Sequence, residues 1–233
     1  RVTALCQNHT GYLNLSKLIS RAYLEEHTRD VPVIRPEWLF ADSAGLILLH
    51  GRQSPLAALM ATTGAADAEY RIDQWLTVFP RRIYLEISRL GLPDETAFNT
   101  RAIAFAEARR LPLIASNDVR FLEADDYEAH EARVCIASGR VLDDPKRPRE
   151  FSREQYLKSP EQMLALFHDI PEALTNSVEL AKRCTLELTL GTYYLPDFPV
   201  PAGYTLESWM RQKAATGLAD RLARHGTALS LED

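Results

Sequence analysis

Leu113–Leu122, LIASNDVRFL, passes from a block of aliphatic residues directly into Asn117, Asp118 and Arg120. Its first half reads as a buried strand, and its second half delivers a carboxylate and then a guanidinium to solvent. In barrel-like α/β folds the reactive groups sit at the carboxyl ends of the strands, because the loops there converge on one face. Many barrel enzymes keep metal ligands at such an end. The stretch therefore poses a chemical question: a working metal site, or one in which a side chain stands in the metal's place.

Three other short apolar runs share the character of LPLIAS (111–116): VTALC (2–6), GLILLH (45–50) and RIYLEI (82–87). Between them lie segments with helical spacing, carried by Tyr12, Leu15, Leu18 and Ile19, by Tyr70, Trp75 and Val78, and by Phe98, Ile103 and Phe105. Strands alternating with helices point to parallel βαβ units, and continuous apolar strands to burial on both faces. Beyond Asp118 the pattern turns helical. YEAHEARVCIASG (127–139) is a helix closed by Gly139, and Ser159, Pro160 and Gln162 form a capping box at the start of the next. PEALTNSVELAKRC (171–184) is a third helix, and a proline-rich connector (196–201) leads to a helix opening near Thr205, with a domain boundary near residue 190.

Composition excludes several classes. The chain has 233 residues, 46% of them hydrophobic and 25% charged, which is ordinary for a globular protein. No run of about 18 apolar residues occurs, and RVTALCQNHTGY lacks the parts of a signal peptide, so a cytoplasmic protein is expected. The opening directly in a strand suggests a cut chain. Net charge is −5, which leaves no electrostatic footprint for nucleic acid, and the basic residues of DDPKRPRE (143–150) are diluted by acidic ones and read as a solvated loop. Cys6, Cys135 and Cys184 are odd in number and form no CxxC pair, so buried free thiols are expected.

The strand ends supply His50, Glu86, Asp118 and Arg120. A glutamate inside YLEI is costly unless it is paired, bound to a cation or turned to a wet face. Asp118 after Asn117 also suits an Asx turn, a sufficient structural reason for the aspartate. His50 reads as a loop or core-edge histidine rather than a ligand. His130 and Glu131 are helix neighbours that cannot face each other, so each is free to bond a different loop. There is no GxSxG, no glycine-rich phosphate loop and no GxGxxG.

The segments LCQNHTGYLNLSKLIS, GLILLHG, RIYLEISRLG, LPLIASNDVRFL, AHEARVCIASG, LDDPKRPR, YLKSPEQMLALF and YYLPDFPVP, taken in order across nearly the whole chain, resemble the alpha-subunit family of bacterial replicative DNA polymerase III. The resemblance implies that residues 1–190 are the later two thirds of a polymerase-and-histidinol-phosphatase (PHP) domain and that 191–233 are a linker and first helix toward the palm. The implied fold class is α/β, a distorted (βα)7 TIM-like barrel lacking its N-terminal strands and followed by a helical connector. Many members hold divalent metals there for hydrolysis, including 3′ to 5′ exonuclease activity, and the last ligand motif, Asp-x-His, falls on Asp118-Val119-Arg120. A guanidinium has five donors, no acceptor and a proton it does not lose, so Arg120 cannot ligate a metal.

The resemblance thus implies a degenerate metal site of Glu86, Asp118 and Arg120, with His130 and Glu131 in support and no metal expected. Arg120 would pair with Asp118, Glu86 or both, and Arg1 falls near a family histidine position. The palm aspartates are absent, so catalysis, with Mg as cofactor, would belong to the full-length polymerase. Implied partners are the epsilon proofreading exonuclease subunit, the rest of the holoenzyme and, through the parent chain, DNA; no membrane is implied. Two alternatives stand beside this reading: an active metal-dependent PHP phosphoesterase or exonuclease using Asp118, Glu86 and His130, and an error-prone damage-tolerance relative of the same polymerase.

Overall fold

Strand β4 (Leu46–His50) is buried at every position. It pairs in parallel with β5 (Ile83–Ile87), Leu48 opposite Ile83, and β5 pairs in parallel with β6 (Leu113–Ala115), Leu85 opposite Leu113. The computed structural model describes residues 1–25, 27–28, 31–61, 66–193 and 195–225. Its two compact units are Arg1–Glu187 and Leu188–Asp233.

Alternation along the three strands splits the core in two. Leu46, Leu48, Ile83, Leu85, Leu113 and Ala115 face a large cluster with Leu18, Leu56, Ile72, Trp75, Phe79 and Phe98. These come from α1 (His9–Glu25), α3 (Pro55–Met60), α4 (Ala66–Val78) and α5 (Glu95–Arg109), with Phe79 just past the end of α4. Ile47, Leu49, Tyr84 and Ile114 face the other way, onto Leu180 of α8 (Pro171–Arg183). Covering both faces is what the continuous apolar runs require.

The edge departs from the parallel expectation. β1 (Thr3–Cys6) runs antiparallel to β4, with Thr3 opposite Leu49 and Cys6 opposite Leu46. Between them lie α1, a hairpin of β2 (His27–Thr28) with β3 (Val31–Pro32), and α2 (Pro36–Ala41). With two helices rather than one in the connection, the chain returns to the end of β1 that it left, and Gln7 N donates to Gly45 O at 2.8 Å. The two segments meet where neither carries a side chain: a Cβ on Gly11 would lie 1.9 Å from Gly45 O, and one on Gly45, whose φ is +70°, would lie 2.4 Å from Gly11 N. Among the described residues the strands form an open sheet in the order β1-β4-β5-β6, not a closed barrel.

The remaining helices of the first unit are α6 (Tyr127–Ser138), stopped by Gly139 at φ +66°, and α7 (Pro160–Leu166), which opens with the Ser159–Gln162 capping box. The second unit holds α9 (Leu206–His225). No helix among the described residues is long and apolar enough to cross a membrane. Cys135 is buried, whereas Cys6 and Cys184 are only partly so. The last two are neighbours in space despite their separation: Thr185 N donates to Gln7 O at 2.9 Å, and burial raises the Cys6 thiol, with Cys184 adding to the effect.

His50 is not at a loop edge. Following Leu46 and Leu48 in the alternation, it turns onto the helix-covered face, has 0% exposure, and meets Trp75 edge-on at 5.2 Å between ring centroids. Neither ring nitrogen has a hydrogen-bond partner among the described residues, and burial lowers its pKa to about 4. The folded state thus binds fewer protons than the unfolded state between the ordinary pKa near 6.5 and 4, and loses stability as pH falls through that window, by about 3 kcal/mol. His50→Leu is expected to abolish this acid-side loss and to add roughly 1 kcal/mol at neutral pH by removing two orphaned polar atoms. Hydrogen-exchange protection of the peptide spanning β4, followed from pH 7 to pH 4, reads both effects; an unchanged pH profile in the variant would refute the assignment.

Candidate site at the carboxyl ends of the strands

β4, β5 and β6 end on one side of the sheet, and a cleft of about 750 Å³ lies beyond them. Gly51, Glu86, Ser88, Ser116, Asp118 and Arg120 line its floor, Arg1 and Thr3 enter from the antiparallel edge, and Arg149 to Phe151 close the far wall.

Asp118 has a left-handed backbone, φ 38°, a conformation that aspartate tolerates better than most residues. Arg120 Nη2 lies 2.8 Å from its Oδ1 and 3.0 Å from its Oδ2. Gln155, 1% exposed, donates from Nε2 to Asp118 Oδ2 at 2.9 Å and to Asp118 O at 3.1 Å, while its Oε1 accepts from Ser152 N at 3.0 Å. Asn117 donates to Glu154 O and Tyr156 O at 3.0 and 2.7 Å. These amides strap the 151–157 segment to the strand end, and Arg120 lies over the Phe151 ring at 5.3 Å. The Asp118–Arg120 side chains remain 48% and 42% exposed, so the pair contributes no more than about 1 kcal/mol. Its consequence is occupancy: both carboxylate oxygens are engaged by donors.

Glu86 stands apart from this pair. It follows Tyr84 onto the second face and is half-buried beside Gly51, where a Cβ would come 3.0 Å from Glu86 Oε2. Among the described residues it has no hydrogen-bond or ion-pair partner. Arg120 therefore pairs with Asp118 and not with Glu86.

His130 and Glu131 serve the walls rather than the floor. His130 is packed between Phe121 and Phe151, with ring centroids at 5.5 and 4.7 Å. Burial first and Arg133 second push its pKa down, against the opposing pull of Glu131, so the imidazole is held neutral. Glu131 bonds Arg147, both side chains being under 10% exposed, and this contact raises the Arg147 pKa. The expectation of a freely solvated DDPKRPRE loop is thus corrected at Arg147, whose Nε also donates to Leu142 O at 2.9 Å.

Three positioning groups were not visible as such in the sequence. Gln155 and Asn117 look like ordinary loop amides until the chain folds. Glu95, 5% exposed, gathers Ser88 Oγ and Leu90 N at 2.7 Å and Gly91 N at 2.9 Å, and so fixes the loop after β5. That loop is also clasped by Arg89, forked onto Asp169 at 2.8 and 2.7 Å, which holds the Asp169 carboxyl down at about 2.

Residues 1–90 match the PHP domain family. The chain is 50% identical over 228 residues to the DNA polymerase III subunit alpha of Xylella fastidiosa strain Temecula1, covering 97% of the chain and 19% of that protein. It is 44% identical over 223 residues to the DNA polymerase III subunit alpha of Escherichia coli K12 and 43% identical over 223 to that of Pseudomonas aeruginosa, in both cases across 95% of the chain and 19% of the relative. The chain belongs to the DNA polymerase III alpha-subunit family. It spans about a fifth of the length of the curated relatives it matches.

For an alpha-subunit PHP domain the donor chemistry here is a poor match to a cluster of divalent cations. Asp118 is committed to Arg120 and Gln155, Arg120 has no lone pair to give, and His50 and His130 are turned into apolar surroundings. Among the described residues no three His, Cys, Asp or Glu side chains converge as a metal group. Removing the buried amide should expose how much of this arrangement it holds. Gln155→Ala is expected to cost about 2–3 kcal/mol locally, through lost bonds and a stranded Asp118 carbonyl. Amide exchange of the peptide containing Arg120, whose N–H bonds Gln155 O at 2.8 Å, should accelerate by roughly 30-fold or more. An unaltered exchange rate would mean that the loop is held by other contacts.

Proposed function

We propose that this chain acts in DNA replication as part of the alpha subunit of a bacterial DNA polymerase III. In this reading its first unit is a metal-poor PHP domain that serves as scaffold and docking site for the proofreading exonuclease subunit. The observation that carries it is the Arg120 guanidinium resting on Asp118 in the position of the family's Asp-x-His motif. A cation surrounded by carboxylates is replaced there by a cation built into the chain, which keeps the strand end neutralised without hydrolytic chemistry. The open sheet is read as an arc of a (βα)7 barrel, a reading supported by its parallel β4-β5-β6 order and by the helices packed on its first face. The segment from residue 191 is read as a linker and first helix toward the palm, where nucleotidyl transfer with Mg would take place. The alternative, a residual PHP phosphoesterase, is favoured by Glu86 alone, whose carboxylate is unpartnered among the described residues.

Two measurements on the full-length alpha subunit test this reading. Metal content after chelation and re-equilibration with Mn²⁺ should rise in Arg120→His, because the substitution restores an imidazole lone pair, and tight binding of several Mn²⁺ by the unmodified chain would favour the phosphoesterase instead. Arg120→Ala with Gln155→Ala should weaken binding of the exonuclease subunit by about tenfold, equivalent to about 1.4 kcal/mol, while primer extension is retained. Equal binding by a subunit lacking the whole PHP domain would overturn the docking role.

A further inference from the structure

The opposite end of the sheet carries a second concavity with the reverse electrostatics. It lies where β5 and β6 begin and where α4, α5 and α8 end, and its volume is about 370 Å³. Leu76, Phe79 and Pro112 make one side apolar, and Arg81, Arg110 and Arg183 make its rim basic.

Arginines near helix C-termini have an ordinary use, since they neutralise the free carbonyls there. Arg82 does this fully: it donates to Leu46 O and Val78 O at 2.9 Å and to Ser43 O. Arg109 is answered by carboxylates, Asp73 at 2.7 Å and Glu69. The three rim residues differ. Arg183 donates to Arg81 O at 2.9 Å and to the Tyr84 hydroxyl at 2.6 Å and meets no carboxylate among the described residues. Arg81 and Arg110 have exposed side chains with no hydrogen-bond or ion-pair partner among the described residues. Their backbones are both left-handed, φ 56° and 54°, at the two turns that enter β5 and β6. Four arginines therefore line one small pocket, and among the described residues only Arg109 has a carboxylate partner. Burial chiefly, and the Arg183 charge in addition, depress the Arg82 guanidinium that lies behind this rim in sequence.

A forked guanidinium matches phosphate oxygens in pairs, and three of them around a partly apolar pocket describe a receptor for an anion with an apolar or planar remainder. We infer that the pocket rimmed by Arg81, Arg110 and Arg183 binds a phosphate ester, the phosphoryl group between the guanidiniums and the remainder against Leu76, Phe79 and Pro112. The same chemistry is offered by a free nucleotide and by the phosphate of a nucleic-acid strand. The site is separate from the strand-end cleft and does not rest on the role proposed for it.

Residue-resolved arginine modification on the full-length natural chain tests this directly. A phenylglyoxal-type reagent is applied alone and with inorganic phosphate, dAMP or a single-stranded oligo-dT, and each arginine is followed by peptide mass spectrometry. Arg81, Arg110 and Arg183 should react at least about threefold more slowly with a saturating probe, while exposed Arg101 and Arg153 keep their rates. Protection by dAMP at lower concentration than by inorganic phosphate identifies a nucleotide site, and protection by the oligonucleotide alone identifies a strand contact. Arg81→Asn with Arg110→Asn, which keeps residues tolerant of the left-handed backbone, should remove the protection of Arg183. The inference is overturned if all three probes leave the rim rates equal to the controls, or if the rim arginines are unreactive without any probe because other protein covers them.

Discussion

β4, β5 and β6 are closed to water on both faces, and that constraint organises the first unit. A charged group on such a strand has nowhere to go but the ends, because burying it unpaired between helices costs several kcal/mol. The carboxyl ends accordingly gather Glu86, Asp118 and Arg120, and the amino ends gather the arginines that meet the terminating helices. His50 is the exception that measures the rule, since it lies within the closed region and is kept neutral there.

The two ends handle charge by different means. At the carboxyl end the cation is covalently part of the chain and sits on its own carboxylate, with a buried amide locking the geometry. At the amino end three guanidiniums share a rim and, among the described residues, none of the three pairs with a carboxylate, unlike Arg109 beside them. An aqueous ion pair as exposed as Asp118–Arg120 adds little to folding. The structural holding power comes instead from the neutral amides of Gln155 and Asn117, whose bonds are withdrawn from water and whose loss would leave backbone groups stranded.

Much of this was legible in the sequence. The four apolar runs became β1, β4, β5 and β6, the capping box at Ser159 formed, and Gly139 closed its helix, because each is governed by local rules of burial, capping or left-handed backbone. Asp118 and Arg120 were visible as strand-end groups for the same reason. What escaped depends on contacts distant in sequence. The antiparallel course of β1 follows from a second, six-residue helix, α2, and a hairpin, both too brief to show a period. The side of the sheet taken by His50 follows from register, and the burial of Arg147 from a glutamate sixteen positions away on another element. Gln155 carries no signal of its own, since its importance arises only from the strand end against which it folds.

The Gly11–Gly45 contact has a consequence for how this sequence can change over generations. The clash that a side chain at either position would meet is with the backbone of the other, not with its side chain. Replacing Asn8, whose Oδ1 would lie 2.6 Å from a Cβ on Gly45, would clear only that side-chain contact and leave the backbone clash in place. The pair therefore has no compensatory route: variation at one glycine cannot be rescued by variation at the other, and lineages carrying this fold should hold both together or rebuild the β1 edge altogether.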